Sequence, residues 1–258
     1  RDLAERGVVS LDFDRLGELA AELIGEDEAA RTVRRLRQLD ALQRHEEPLL
    51  LLVGGATGTG KSTIATEAAH RLGITRVTST DFIRQTMRTF FSKEFMPSVH
   101  YSSFEAQLAL TRAEEEESGD AAILGFLDQT RNVLVGVDAA LERAATERWS
   151  TVLEGVHLVP GMVGTAHPGA SVVQCVVAIE DENLHRSHFW VRDHATEGLR
   201  PLEKYVDSLP QIREIQDYIV ERAKRHDVPV IYNDSLDRAI GEVLDLVLRR
   251  ADQLVDVA

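Results

Sequence analysis

The feature that most constrains this chain is the run Gly55–Ser62, with the sequence GATGTGKS, which matches the pattern G-x-x-x-x-G-K-[ST] without a mismatch. The apolar run Leu49–Val53 precedes it and predicts a buried strand, and a predicted helix follows it. Glycines let such a turn point consecutive N–H groups at phosphate oxygens, and the helix adds the positive end of its dipole. The run, called the phosphate loop below, therefore predicts a nucleotide site. A glycine-rich turn that binds no nucleotide is the alternative interpretation.

The pattern also assigns roles to the polar residues of the phosphate loop. We expect the Lys61 ammonium to reach the β- and γ-phosphates, the Ser62 hydroxyl to bind Mg²⁺, and the adjacent Thr63 to donate to the α-phosphate. The expected nucleotide-binding residues at this turn are Gly55, Thr57, Gly58, Thr59, Gly60, Lys61, Ser62 and Thr63.

The rest of the chain alternates predicted strands with predicted helices, which is typical of a parallel sheet covered on both faces. Further strands are predicted around 76–79, 151–153, 172–179 and 228–232, and helical stretches around 103–118, 121–148, 181–196 and 210–226. We therefore expect a three-layer α/β domain over 47–258, with a lid at about 183–210. The pattern over 1–46 indicates helices only, which predicts a short helical N-terminal extension.

Composition narrows the possible functions. The 258 residues carry a formal net charge of −14, which argues against general binding to nucleic acid or anionic membrane, because neutralising phosphates requires a basic surface. No apolar run approaches the ~18 residues of a membrane span, and the first residues lack an apolar signal segment. A single cysteine, Cys175, excludes a disulfide within the chain. These features predict a cytoplasmic protein; the sequence leaves its oligomeric state open.

Two carboxylates stand where predicted strands end. Asp81 follows the second strand, where it could accept a proton from an acceptor hydroxyl or hold Mg²⁺ through water; capping the helix over 82–90 is the alternative. Glu154 closes the third strand, where a second acidic residue would anchor Mg²⁺; an ordinary strand-end carboxylate is the alternative.

Arginines supply the expected anion-binding groups. Arg84 and Arg88 lie one helical turn apart beyond Asp81 and are predicted to clamp an anionic substrate, unless they are simply exposed on a polar face. Arg186 and Arg192 fall in the predicted lid, where arginines stabilise charge on a transferring phosphoryl group. The two would not share a face of one continuous helix, so we expect a break or loop at one of them. The histidines of this stretch lack the accompanying ligands of a metal site.

These residues carry a resemblance to the 2-phosphoglycerate kinase family, through the segments GGATGTGKSTIATEAAHRLGI, STDFIRQTMR, GFLDQT, VLEGVHLVPG and RPLEKYVDSLPQIREIQDYIVERAKRHDVPVIYN. The resemblance runs in order from about Pro48 to the last helix. It implies a P-loop kinase fold with a five-stranded parallel sheet in the order 2-3-1-4-5, and the use of ATP and Mg²⁺.

The resemblance also implies positions for individual residues. It places Asp81, Arg84, Arg88 and Glu154 around the transfer centre, and Asn233 at the adenine-binding loop. Gln129, Arg131 and His157 become candidates for the substrate side, with ordinary helix polarity and a capped strand end as the alternatives. Tyr101, in a loop-like stretch, is a further candidate on that side.

We therefore predict a kinase that uses Mg-ATP to phosphorylate a hydroxyl of a small anionic metabolite, called the acceptor below. The resemblance implies 2-phosphoglycerate as the acceptor and 2,3-bisphosphoglycerate as the product. A kinase of another phosphorylated alcohol, such as a mevalonate phosphate or a polyol or inositol phosphate, would keep every residue role. A nucleotide-dependent regulatory switch is the alternative of another class, although the arginines favour transfer to a substrate.

Overall fold

The structure is a computed structural model that describes residues 12–111, 120–195 and 202–255, the last few positions of the second and third ranges by their backbone only. The chain divides into two compact units. One spans Glu47–Asp245, and the other contains the N-terminal helices and the end of the last helix from Leu246 onward. Because that helix contributes to both units, the division into domains 1–46 and 47–258 stays a prediction.

Two helices form the described part of the N-terminal unit before the first strand, α1 (Phe13–Ile24) and α2 (Glu26–Arg44). Asp12 caps α1 by accepting a hydrogen bond from the Arg15 N–H at 2.8 Å. The two helices contact each other, and the apolar side chains Leu19, Ala29 and Val33 are buried.

The second unit is built on a parallel sheet of five strands. The strands are β1 (Leu49–Gly54), β2 (Val77–Ser79), β3 (Thr151–Gly155), β4 (Ser171–Ala178) and β5 (Val230–Tyr232). Their order is β2-β3-β1-β4-β5, so the predicted topology is confirmed. The central strand β1 is buried along its whole length, which explains its uninterrupted apolar sequence.

Seven helices accompany the sheet within the described ranges. They are α3 (Lys61–Leu72), α4 (Thr80–Phe90), α5 (Ala121–Thr146), α6 (Glu182–Ala195), α7 (Leu202–Asp207), α8 (Leu209–Arg225) and α9 (Leu236–Val255). None of the described helices is both long enough and apolar enough to cross a bilayer.

Alternation along β1 places apolar side chains on both faces of the sheet. Leu50 and Leu52 belong to a cluster with Val133, Val137 and Leu141 of α5. Leu51 and Val53 point to the opposite face by the period of a strand and are equally buried. The sheet is therefore covered on both sides, which confirms the predicted three layers.

The predicted helical stretch over 103–118 is a short 3₁₀ helix rather than an α-helix where the chain is described. This 3₁₀ helix spans Ser103–Ala109, and another one, Pro97–His100, precedes it. Phe104 and Ala106 belong to the second of the two in chain order and are buried in contact with α5. Burial against α5, rather than the period of an α-helix, explains the apolar residues of this segment.

Candidate active site

A cleft of about 310 Å³ opens where the strands β1, β2 and β3 end. The register places Val53, Ser79 and Glu154 side by side across these strands, so their carboxyl ends meet at one edge of the sheet. Ligands of open α/β sheets bind at this edge. The cleft is lined by Thr57, Lys61, Ser62, Ser79, Thr80, Asp81, Arg84, Gln85, Ser102, Ser103, Phe104, Glu154, Gly155, Val156, His157 and Tyr205.

The phosphate loop joins β1 to α3, as the sequence predicts. Gly60 precedes the helix with φ 86°, and a Cβ there would lie 2.4 Å from the Asn233 Nδ2, so this position requires glycine. The Lys61 ammonium donates to the Ala56 carbonyl at 3.2 Å, and the Thr59 hydroxyl donates to the same carbonyl at 3.0 Å. The loop is therefore held closed by its own side chains.

Three side chains from later in the chain hold the outer side of the phosphate loop. The His185 Nε2 donates to the Thr57 carbonyl at 2.8 Å, and the His188 Nδ1 donates to the Gly58 carbonyl at 3.0 Å. The Asn233 Nδ2 donates to the Thr59 carbonyl at 2.9 Å. In a trans peptide the C=O and the following N–H point in opposite directions. Three consecutive N–H groups are thereby turned away from these donors, as phosphate binding requires.

Sequence analysis gave His185 and His188 no role in the phosphate loop. Burial lowers the pKa of His185, which favours a neutral ring that donates through Nε2. The two histidines lie three residues apart on α6, so they share one face of the helix. That spacing was the signal available in the sequence. Asn233, expected at the adenine loop, is 4% exposed and its amide is used on the loop carbonyl.

Asp81 lies in the first turn of α4 with its side chain 59% exposed at the cleft. The interpretation of Asp81 as the helix cap is wrong. The Ser79 hydroxyl accepts the hydrogen bond from the Phe82 N–H at 3.0 Å and caps α4 instead. The Asp81 carboxylate is therefore available for another task.

Arg84 orients that carboxylate from a buried position. Its Nε and Nη2 donate to the Asp81 Oδ1 at 2.9 and 2.7 Å. Its Nη1 donates to the carbonyls of Val99 and Tyr101, both at 2.8 Å. The guanidinium thus ties the start of α4 to the loop over 99–101.

The structure does not bring Arg84 and Arg88 together as a clamp. Arg84 is 6% exposed and is drawn beneath the helix by the carbonyls that it binds. Arg88 is exposed, bonds the Gln85 Oε1 at 3.2 Å, and lies outside the lining of the cleft. A shared helical face was therefore not enough to give the two arginines a shared ligand.

A buried chain of hydrogen bonds runs behind the cleft through Thr80, His157 and Gln129. The Thr80 Oγ1 lies 2.8 Å from the His157 Nδ1, and the His157 Nε2 lies 3.0 Å from the Gln129 Oε1. The Gln129 Nε2 donates to the carbonyls of Ser98 and Tyr101 at 2.6 and 3.0 Å. Gln129 is fully buried, so it lies behind the wall of the cleft and does not reach a substrate.

The imidazole of His157 is neutral in this setting. Burial lowers its pKa to about 3, and the positive charges of Arg84 and Lys61 act in the same direction, against the smaller opposing effect of Asp81. His157 lines the cleft although it is only 1% exposed. A group with this pKa does not exchange protons near neutral pH, so His157 is unsuited to general acid–base work.

Four other candidates lie away from the cleft or outside the description. The Lys93 ammonium lies over the Tyr101 ring, 4.6 Å from its centre, and Arg131 is exposed on α5. Neither Tyr101 nor Arg131 lines the cleft. Arg186 is exposed and pairs with Glu182 at 3.3 Å. Arg192 lies on the same continuous helix, so the expected break is wrong, and its side chain lies outside the described residues.

The residues present fit a bound Mg²⁺. The Ser62 hydroxyl and the carboxylates of Asp81 and Glu154 line the same cleft, and Mg²⁺ prefers oxygen ligands. Within the described ranges no group of three or more His, Cys, Asp or Glu side chains forms a dedicated metal site. One or two carboxylates together with phosphate oxygens and water are the ligands that Mg²⁺ commonly has beside nucleotides. Thr63 follows Ser62 and is exposed.

Comparison with known proteins identifies the family. The chain is 37% identical to the 2-phosphoglycerate kinase of Thermococcus kodakarensis over 254 residues, which cover 98% of this chain and 85% of that protein. It is 35% identical to that of Methanopyrus kandleri, over 95% of this chain and 74% of the relative. The chain belongs to the 2-phosphoglycerate kinase family. It is thus a kinase of small molecules, and membership in this family implies the use of ATP.

The likeness of this chain to family models and to solved structures is weaker than its likeness to these relatives. No family model matches this chain. Among solved structures, a gluconokinase from Sinorhizobium meliloti is 16% identical with a TM-score of 0.47, covering 83% of this chain and 99% of that one. A shikimate kinase from Acinetobacter baumannii, in complex with shikimate, is 16% identical with a TM-score of 0.45, covering 82% and 97%.

Proposed function

We propose that this protein transfers the γ-phosphoryl group of ATP to the hydroxyl of 2-phosphoglycerate and forms 2,3-bisphosphoglycerate. The observation that carries the proposal is that Lys61 and Ser62 of the phosphate loop share one cleft with the oriented carboxylate of Asp81. The curated relatives that the chain resembles over most of its length are 2-phosphoglycerate kinases, which supports this acceptor.

The roles in this proposal follow from where the groups lie. The N–H groups of the phosphate loop and the Lys61 ammonium hold the nucleotide phosphates. Asp81 accepts the hydrogen bond of the acceptor hydroxyl and aligns it with the γ-phosphorus, which is the main task of a protein in phosphoryl transfer. Ser62, Glu154 and Asp81 would hold Mg²⁺, which neutralises charge on the phosphates when it is bound.

The lining of the cleft supplies polar groups for the acceptor. Gln85, Ser102 and Ser103 line the cleft together with Arg84, and these groups can bind hydroxyl or carboxylate oxygens. Arg84 is already paired with Asp81, so it contributes less net positive charge to the cleft than an unpaired arginine would. Another phosphorylated alcohol would use the same groups, and the experiment below separates the acceptors.

The proposal is tested by incubating the purified chain with Mg-ATP and one candidate acceptor at a time. We expect ADP to form with 2-phosphoglycerate, and mass spectrometry to show a product heavier by one phosphoryl group. The panel includes 3-phosphoglycerate, a mevalonate phosphate and an inositol phosphate. ATP loss that no acceptor changes would favour a regulatory switch, and selective use of another alcohol would replace the proposed acceptor.

A matched pair of lysine variants shows whether the activity belongs to this site. Lys61→Ala should lower turnover by about 10²–10⁴-fold, because a preorganised cation at the phosphoryl group is lost. Lys224→Ala removes the same charge from the exposed last turn of α8 and should leave turnover unchanged. Equal activity in both variants would show that the measured kinase is a contaminant.

A further inference from the structure

We propose that Gln129 and His157 are positioning residues, which fix the loop over 98–103 and, through it, the direction in which Arg84 presents Asp81 to the acceptor. The inference rests on the proposed function in one respect, namely that Asp81 aligns the acceptor hydroxyl. Neither residue touches the reacting atoms in this proposal. Gln129 acts through the Tyr101 carbonyl, which Arg84 also binds, and His157 acts through Gln129.

The hydrogen bonds of Gln129 have only one consistent direction. Its Nε2 faces the carbonyls of Ser98 and Tyr101, and a carbonyl can only accept. The side-chain amide is therefore fixed with Oε1 toward the His157 Nε2, and that nitrogen must carry a proton. In a neutral ring Nδ1 is then an acceptor, and the Thr80 hydroxyl donates a hydrogen bond to it.

The Thr80 end of this chain is closely packed. Its hydroxyl lies against Gly155 at the end of β3, where a Cβ would lie 1.9 Å from the Thr80 Oγ1. Gly155 has φ 155°, so the close approach and the backbone conformation both require glycine. Glycine at this position therefore leaves the space that the Thr80 hydroxyl occupies beside His157.

The Tyr101 carbonyl links this buried chain to Asp81. It accepts from the Gln129 Nε2 at 3.0 Å and from the Arg84 Nη1 at 2.8 Å. Arg84 uses its other two nitrogens on the Asp81 Oδ1. Gln129 thus fixes the group that fixes Arg84, and the exposed carboxylate of Asp81 takes its direction from buried groups.

The same loop delivers two further groups to the cleft. Ser102 and Ser103 follow Tyr101 directly and line the cleft beside Gln85. The carbonyls of Ser98, Val99 and Tyr101 lie in a segment without a regular α-helix or strand, so side chains satisfy them. Loss of the Gln129 amide would leave the Ser98 carbonyl with only the Tyr101 N–H, and the Tyr101 carbonyl with only the Arg84 Nη1, which would loosen the loop.

Kinetics can separate positioning from a general contribution to stability. Gln129→Met keeps the length of the side chain and removes both donors, and we expect it to lower kcat/KM for the acceptor by about 100-fold. The KM for ATP and the shape of the pH profile should stay as in the wild type. His157→Gln retains an amide that can donate to Gln129 and should lose less than Gln129→Met.

Val137→Ala is the matched control. Val137 is fully buried on the same helix as Gln129 and belongs to an apolar core cluster. We expect this variant to lower the Tm at least as much as Gln129→Met and to keep kcat and the acceptor KM within about twofold. An equal fall in kcat/KM for the acceptor in both variants, at an equal fall in Tm, would overturn the positioning role.

Two further measurements do not depend on the identity of the acceptor. Nitrogen NMR of the wild-type protein should show His157 as the neutral Nε2–H tautomer. Hydrogen exchange of Gln129→Met should accelerate over 97–104 and stay unchanged in the phosphate loop. An Nδ1–H tautomer or unchanged exchange at 97–104 would overturn the inference even in an active kinase. If the wild type phosphorylates no acceptor, the proposed function is overturned. The tautomer and the hydrogen exchange would still test the hydrogen bonds of His157 and Gln129.

Discussion

Arg84 holds Asp81 through a single carboxylate oxygen, with its Nε at 2.9 Å and its Nη2 at 2.7 Å from the Asp81 Oδ1. The side chain of Arg84 is 7% exposed, whereas that of Asp81 is 59% exposed. A buried cation therefore orients a carboxylate that remains accessible from the cleft. Such an arrangement suits a residue that must align a hydroxyl without being displaced by it.

The first prediction concerns the two arginines of α4. Arg84→Lys should lower kcat by about 10–100-fold, because an ammonium cannot reproduce the fork that joins Asp81 to the carbonyls of Val99 and Tyr101. Arg88→Lys, a matched change one turn away on the exposed surface, should stay within about twofold. Steady-state kinetics with each substrate varied in turn checks both. An equal fall in kcat in the two variants would instead support the prediction that Arg84 and Arg88 clamp one substrate together.

The second prediction separates chemistry from helix stability at the start of α4. Asp81→Asn should abolish phosphoryl transfer and leave ATP affinity nearly unchanged. Its Tm should fall only because the buried Arg84 loses an anionic partner, since Ser79 still caps α4. Ser79→Ala should instead cost about 1 kcal/mol of stability through the lost cap. Thermal unfolding, ATP titration and turnover on the same preparations provide the comparison. An Asp81→Asn variant that kept turnover within about twofold would remove Asp81 from the transfer step.

The third prediction concerns the support of the phosphate loop. Asn233→Asp replaces the donor to the Thr59 carbonyl with an acceptor, so the KM for ATP should rise by about tenfold while the acceptor KM stays constant. Asn183→Asp adds the same charge at an exposed position at the start of α6 and serves as the control. Kinetics with ATP and with GTP distinguish the two roles of Asn233. A change in the preference for ATP over GTP alone would favour a contact with adenine rather than support of the phosphate loop.

The fourth prediction is a dependence of stability on pH that originates at His157. The pKa of this ring is about 3 in the folded protein and about 6.5 in an unfolded chain. Between those values the unfolded state binds more protons, so the free energy of unfolding falls as the pH falls. This contribution is complete above pH ~6.5 and is lost toward pH ~3, with a slope approaching ~1.4 kcal/mol per pH unit.

Urea unfolding of the wild type and of His157→Gln at about pH 7 and about pH 4.5 measures that contribution. The variant should lose less stability over this interval, because glutamine does not titrate. Carboxylates shared by the two proteins contribute to both curves and cancel in the difference. Parallel losses in the two proteins would mean that His157 already titrates normally when folded.

The sequence by itself determined the features that local order encodes. A strand, a glycine-rich turn and a helix are contiguous in the chain, so the phosphate loop could be predicted with its individual residues. Asp81 lies two residues beyond β2 and Glu154 is the penultimate residue of β3, and parallel strands place their carboxyl ends at one edge. Their presence in one cleft with Lys61 and Ser62 follows from that geometry, and the resemblance supplied the order of the strands.

Only the tertiary structure decided which polar side chains face the cleft and which support it. The bond from Gln129 to Ser98 joins residues 31 positions apart, and the bonds from His185 and Asn233 to the phosphate loop span 128 and 174 positions. Helical periodicity gives the face on which a side chain lies but not the carbonyl that it meets. Arg84 is buried where it donates to the backbone carbonyls of Val99 and Tyr101. Arg88 meets no such carbonyl within the described ranges and is exposed beside Gln85.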